Sequence, residues 1–146
     1  MSTSDTVFAL IDLPRKMYVE QDKSPCALVE ESGYLESHEQ VSEEVILKDL
    51  REHPEYLRDW KIYSEDKRTT GWYLGDPDAD RYFVGFIPAE GEPHIHPLRY
   101  PDEATACAAF IKREIEDIRR TVLDIQSRRQ ARRKRRSRKQ AWSSAS

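Results

Sequence analysis

The sequence predicts an α+β fold with two short helices, a three-stranded antiparallel sheet and a long C-terminal helix packed on one sheet face. Three observations carry this expectation. Apolar residues recur at helical spacing on both sides of Pro54, and three aromatic, β-branched runs between Thr70 and Tyr100 are separated by turn residues. From Ala104 to Ile125, apolar residues then step by three or four without a miss. The 146 residues suffice for one ordinary domain, not for two that each bury a full core. Hydrophobic residues make up 38% and charged residues 35%, so the surface is heavily ionised while a modest core stays affordable, and a wholly disordered chain is excluded.

Residues 1–6 are polar and read as loose. Val7–Ile11 is too short for periodicity to assign, and Pro14 is expected to end it. Met17–Val19 and Ala27–Val29 fit strand or helix equally, separated by Ser24-Pro25 and Ser32-Gly33, so residues 1–40 are left poorly defined. Ser42 is a good N-cap, with Glu43 and Glu44 in the first turn where the helix dipole favours anions. Val45, Leu47 and Leu50 supply an apolar side, and His53-Pro54 closes this helix. Pro54 opens a second helix, to about residue 66, carrying Tyr56, Leu57, Trp60 and Tyr63.

Strands are expected at Thr70–Leu74, Arg81–Ile87 and His94–Tyr100, joined by GDPDAD and PAEGEP. Connections of about six residues suit hairpins and exclude parallel crossovers. Tyr82, Val84 and Phe86 share one face and Phe83 and Ile87 the other, while Pro97 makes the last strand an edge. From about residue 102, Ala104, Cys107, Ala108, Ile111, Ile115, Ile118, Val122 and Ile125 form one stripe on a helix of about 25 residues. Lys112, Arg113, Glu116, Asp117 and Arg120 are expected to face water, and Ile111, Ile115, Trp60, Trp72, Val84 and Phe86 to form the core. Trp142 onward reads as a disordered end.

The net charge of −3 conceals a strong asymmetry. Arg128, Arg129, Arg132, Arg133, Lys134, Arg135, Arg136, Arg138 and Lys139 place nine positive charges in twelve residues without an acid. Removing those nine from the 24 basic residues leaves 15 against 27 acidic ones, so residues 1–127 carry −12. The chain therefore divides into an acidic α+β domain, 1–127, and a basic, Arg-rich tail, 128–146. The tail suits phosphate contact, whereas the body attracts basic proteins.

No catalytic signature is present: there is no nucleophile elbow, Cys–His motif or phosphate-cradling glycine loop, and no cofactor is expected. His94 and His96 alternate on a predicted strand as half of a metal site, but a third ligand is missing, so exposed or packing histidines are expected and no metal. Asp76, Asp78 and Asp80 copy three ligand positions of a calcium loop without its Gly or final Glu, which reads as a solvated turn. Cys26 and Cys107 fit no disulfide framework or zinc spacing and read as free buried thiols. The start of the chain has no secretory pattern and no run long enough to span a membrane, so a cytosolic protein is expected.

YSEDKRTTGWY joins a charged helix end to an aromatic strand. It reads as a helix stop and turn with Trp72 in the core, or as a recognition corner that fixes Glu65, Asp66, Lys67 and Arg68 at the mouth of the sheet. The segments LREHPEYLRDW, YSEDKRTTGWYL, RYFVGFIP and EATACAAFIKREIEDI, within residues 40–120, resemble a group of small bacterial proteins, some similar to immunity proteins of polymorphic toxin systems. That resemblance implies a protein that binds and neutralises another, and the Arg-rich tail departs from it. The leading expectation is a non-enzymatic, immunity- or antitoxin-like protein. Its acidic surface, with Glu65, Asp66, Asp76, Asp78 and Asp80 as contacts, occludes a basic partner such as a nuclease-type toxin. The alternative is a nucleic-acid-associated protein anchored weakly by the tail. A small enzyme or metal protein using His94 and His96 is the third.

Overall fold

The computed structural model describes residues 2–67, 70–75 and 82–144. Among them, the chain forms α1 (Thr3–Ile11), α2 (Leu13–Val19), α3 (Pro25–Glu31), α4 (Tyr34–Ser37), a 3₁₀ turn (His38–Gln40), α5 (Glu43–Glu52) and α6 (Glu55–Asp66). The strands β1 (Gly71–Leu74), β2 (Tyr82–Ile87) and β3 (Leu98–Tyr100) follow, and α7 (Glu103–Ser144) is the last described element. The sheet is antiparallel in the order β1-β2-β3, with Trp72 opposite Phe86 and Tyr82 opposite Tyr100. The α+β class, the two mid-chain helices, the meander and the long final helix are as expected.

The N-terminal region departs from expectation because it is helical from Thr3. Ser2 and Asp5 form a reciprocal capping box: the Ser2 hydroxyl accepts from the Asp5 amide and Asp5 accepts from the Ser2 amide, which ties down a segment expected to be loose. Thr6, Val7, Leu10 and Ile11 form the buried side of α1. Pro14 does not end this helix; α1 stops at Ile11, and Pro14 sits in the first turn of α2, where its missing N–H costs no bond. Ser24 caps α3, its hydroxyl accepting from the Ala27 amide at 3.2 Å, with Pro25 in the first turn. Within α5 the buried residues are Ile46 and Leu50, and Val45 turns outward.

The core forms where α7 runs between two layers. It packs against α3, α5 and α6 and against β1 and β2. Ala106 to Ile111, Phe110 among them, are six consecutive buried residues, a pattern wider than the expected stripe, and Glu114 is buried as well. The alanines and Cys107 let the neighbouring backbones approach closely. Trp60 is fully buried; its indole N–H donates to the Ile11 carbonyl at 2.9 Å and its ring meets Phe110 edge-on, so α1, α6 and α7 converge on one side chain. Ile111, Ile115, Trp60 and Val84 are core as expected, whereas Trp72 and Phe86 are half-buried, 4.9 Å apart at the margin of the sheet. On the outer sheet face the Phe83 ring lies over Gly75 and the Tyr73 ring over Gly85, positions that a Cβ would block.

The polar side of α7 is not simply solvated. Tyr34, fully buried, donates to Glu116; Lys112 donates to the Tyr34 hydroxyl at 2.7 Å and to the His38 carbonyl at 3.1 Å; Arg119 pairs with Glu116 at 3.1 Å. Arg113 reaches Glu43 at 2.8 Å and lies over the Trp72 ring. These bonds clamp α4 and α5 to α7. Past Val122 every described side chain of α7 is exposed, and Gln126 makes a hydrogen bond to Glu30 at 2.9 Å. The helix nevertheless continues to Ser144, so residues 142–144 of the expected disordered end are helical.

Burial works to raise the Glu116 carboxyl, but the hydrogen bonds from Arg119 and Tyr34 and the Lys112 charge outweigh it and leave its pKa lowered. A carboxyl lowered in the folded state contributes stability that is complete above its unfolded value, about 4.3, and that is lost as pH falls through the folded value. Glu116→Gln should cost about 1–2 kcal/mol at pH 7 in urea unfolding. It should cost less at pH 3, where the native carboxyl begins to protonate. An equal loss at both values would show that the network does not hold Glu116 as a carboxylate.

Candidate protein-docking surface

The helix-to-strand corner is built by the last turn of α6 and the start of β1. The α6 periodicity directs Tyr56 and Trp60 inward, which leaves Ile62, Glu65 and Asp66 outward. Glu65 and Asp66 are exposed as expected. Lys67 is not a rim charge: its ammonium turns inward to Glu114 Oε1 at 2.8 Å and to the Trp72 carbonyl at 3.1 Å, joining α6, β1 and α7 at one point. Glu114 is 3% exposed, and its Oε2 is buried with no hydrogen-bond partner among the described residues. Burial, reinforced by Glu114, pushes the neighbouring Tyr63 hydroxyl well above the usual phenol range, so it stays neutral.

Next to this corner, α2, the start of α3 and α6 enclose a groove of about 810 Å³. Met17, Tyr18, Val19, Ile62 and Tyr63 supply its apolar lining; Asp59, Asp66 and Arg15 line it as well, as does Lys67, whose ammonium points to Glu114. Tyr18 is 81% and Val19 79% exposed, and Ile62 is exposed as well. Arg15 is held by an ion pair to Asp59 and lies over the Tyr56 ring at 4.3 Å. The sequence left this surface unseen because α2 was unassigned; LPRKMYV taken as a helix places Leu13 and Met17 on one side and turns Tyr18 and Val19 away from it.

Asp76, Asp78, Asp80 and Arg68 lie outside the described residues. His94 and His96 fall in the exposed loop before β3, not on a strand, because Pro93 and Pro97 flank them and pairing begins at Leu98. Among the described residues, Asp49, Glu52 and His53 at the end of α5 bring three donor atoms within 4.8 Å of one another, an i, i+3, i+4 spacing visible in DLREH but not singled out above. His53 also faces Glu55 at 3.7 Å and the Phe8 ring edge-on. Cys107 is buried, with its thiol pushed up by desolvation, and Cys26 is half-buried; both are free. Arg128, Arg129, Arg132, Arg133, Lys134, Arg135, Arg136, Arg138 and Lys139 are all exposed on α7, where Arg128 pairs with Asp124 at 3.0 Å.

Removing the Lys67 ammonium leaves Glu114 as a buried, uncompensated charge. Lys67→Met should cost about 3–5 kcal/mol in denaturant unfolding, and adding Glu114→Leu should recover most of that loss. Additive losses would show that the two side chains do not depend on each other.

No helix among the described residues is long and apolar enough to cross a membrane. Comparison with protein-family models, curated proteins and solved structures finds no match to this chain.

Proposed function

We propose that the protein is a non-enzymatic, immunity- or antitoxin-like binding protein that acts in the cytoplasm and neutralises a basic protein partner by occlusion. The observation that carries this reading is the α2–α3–α6 groove, in which exposed Tyr18, Val19 and Ile62 stand among charged residues, Asp59 paired with Arg15 and Asp66 exposed. Apolar anchors inside a polar rim are how protein interfaces concentrate their energy, and tyrosine is prominent among such anchors. The charge of −12 over residues 1–127 steers a basic partner toward this body and speeds encounter. Glu65 extends the acidic rim from the same helix turn as Asp66. The resemblance over residues 40–120 points the same way.

Co-expression with basic nuclease-type toxins tests this. The full chain should protect the cell, and Tyr18→Ala with Ile62→Asp should weaken binding by about tenfold or more through faster dissociation. Asp66→Lys should mainly slow association and reduce its salt dependence. Binding within twofold of the parent after all three changes, or protection lost only when residues 128–146 are removed, would overturn the reading.

A further inference from the structure

Past Gln126, α7 continues for 18 residues to Ser144, about 27 Å of helix, with every described side chain from Leu123 to Ser143 exposed. Its nine cations repeat at spacings of three and four, so Arg128 and Arg132, Arg129 and Arg133, Arg132 and Arg136, and Arg135 and Lys139 repel along the surface. Asp124 neutralises Arg128 at its base, and beyond that the sequence holds no acid. A helix of this composition is relieved by a ligand that supplies closely spaced negative charge. Helical periodicity also places Arg132, Arg135, Arg136 and Lys139 on the same side as Trp142, and these five, with Arg138, line a cradle of about 580 Å³. Trp142 is 83% exposed. An indole that gains nothing from the core here stands beside a row of guanidinium groups.

We propose that this arm is a binding site for single-stranded nucleic acid, in which the Arg132–Lys139 face holds successive phosphates and Trp142 stacks on an unpaired base. A flexible strand lets phosphates follow the cations while a base turns onto the indole, and a duplex offers the phosphates but keeps its bases stacked on each other. A membrane surface fits less well, because residues 128–144 contain only Ala131, Ala141 and Trp142 as apolar side chains and so present no face to bury among lipid chains. Arg128 is the least available cation, since Asp124 already engages it at 3.0 Å.

The test is fluorescence anisotropy with the full chain, a labelled oligothymidine of about 20 nucleotides, a duplex of equal length and phosphatidylserine-containing vesicles. If about six phosphates are engaged, log affinity for the single strand should fall with log salt at a slope of roughly −4. Trp142→Ala should weaken the single strand by about tenfold and the duplex by less than twofold, and Trp142→Phe should restore most of the difference. Changing Arg132, Arg135 and Arg136 together to Gln should weaken both nucleic acids and flatten the salt slope. Near-ultraviolet circular dichroism reporting on Trp60 should stay unchanged in every variant. The proposal is overturned if Trp142→Ala changes both nucleic acids equally, if the vesicles compete more strongly than the oligonucleotide, or if no salt-sensitive binding occurs because the arm associates with the acidic body of a second copy.

Discussion

Six consecutive buried residues on one helix, Ala106 to Ile111, set the terms for everything around them. A helix can bury its whole circumference only if it is enclosed from opposite sides, so α3, α5 and α6 cover one flank of α7 and β1 and β2 the other. The small side chains allow this enclosure, and Phe110 and Ile111 fill the space between the layers. Trp60 then locks the helical layer by bonding to the carbonyl of Ile11 across 49 residues of sequence. None of the flanking elements is long enough to be stable alone; each is held by the apolar surface it shares with α7.

That enclosure creates an electrostatic problem at the points where α7 carries charge. Glu114 lies on the buried circumference and is matched by Lys67, whose placement fixes where α6 ends and β1 begins. Glu116 and Lys112, one turn apart, are tied to Tyr34 and to the His38 carbonyl and so anchor the N-terminal helices. The same helix then leaves the body and becomes the basic arm. One element thus holds the acidic domain together and carries the opposite charge away from it, which keeps the groove between α2 and α6 separate from the cations.

The sequence showed the elements whose signals were periodic or capped and missed those set by tertiary enclosure. α6 and the stripe from Cys107 to Val122 were legible because apolar spacing matched a helical face, and α5 because Ser42 caps it and His53-Pro54 closes it, although its buried residues are Ile46 and Leu50 and Val45 turns outward. Val7–Ile11, Met17–Val19 and Ala27–Val29 were not, because short helices buried on broad faces show runs instead of a period. Ser2-x-x-Asp5 and Ser24-Pro25 were the signals available there. In KREIED nothing distinguishes Glu114 from the other charged residues beside it, so the partner of Lys67 could not be found. Glu65 and Asp66 were found correctly as exposed, but the apolar groove beside Asp66 required α2 to be known as a helix. His94 and His96 are exposed, one of the two expected readings, but the strand expected from His94 begins only at Leu98, past Pro97.

The central claim is that the chain carries two separate surfaces of opposite character, the groove on the body and the arm beyond it. Amide hydrogen exchange of the full chain, alone and with a single-stranded oligonucleotide, tests this most directly. The account predicts slowed exchange confined to residues 128–143, with residues 13–25 and 55–67 unchanged. Slowing at the α2 and α6 amides together with the arm would contradict it, because the two would then be parts of one site.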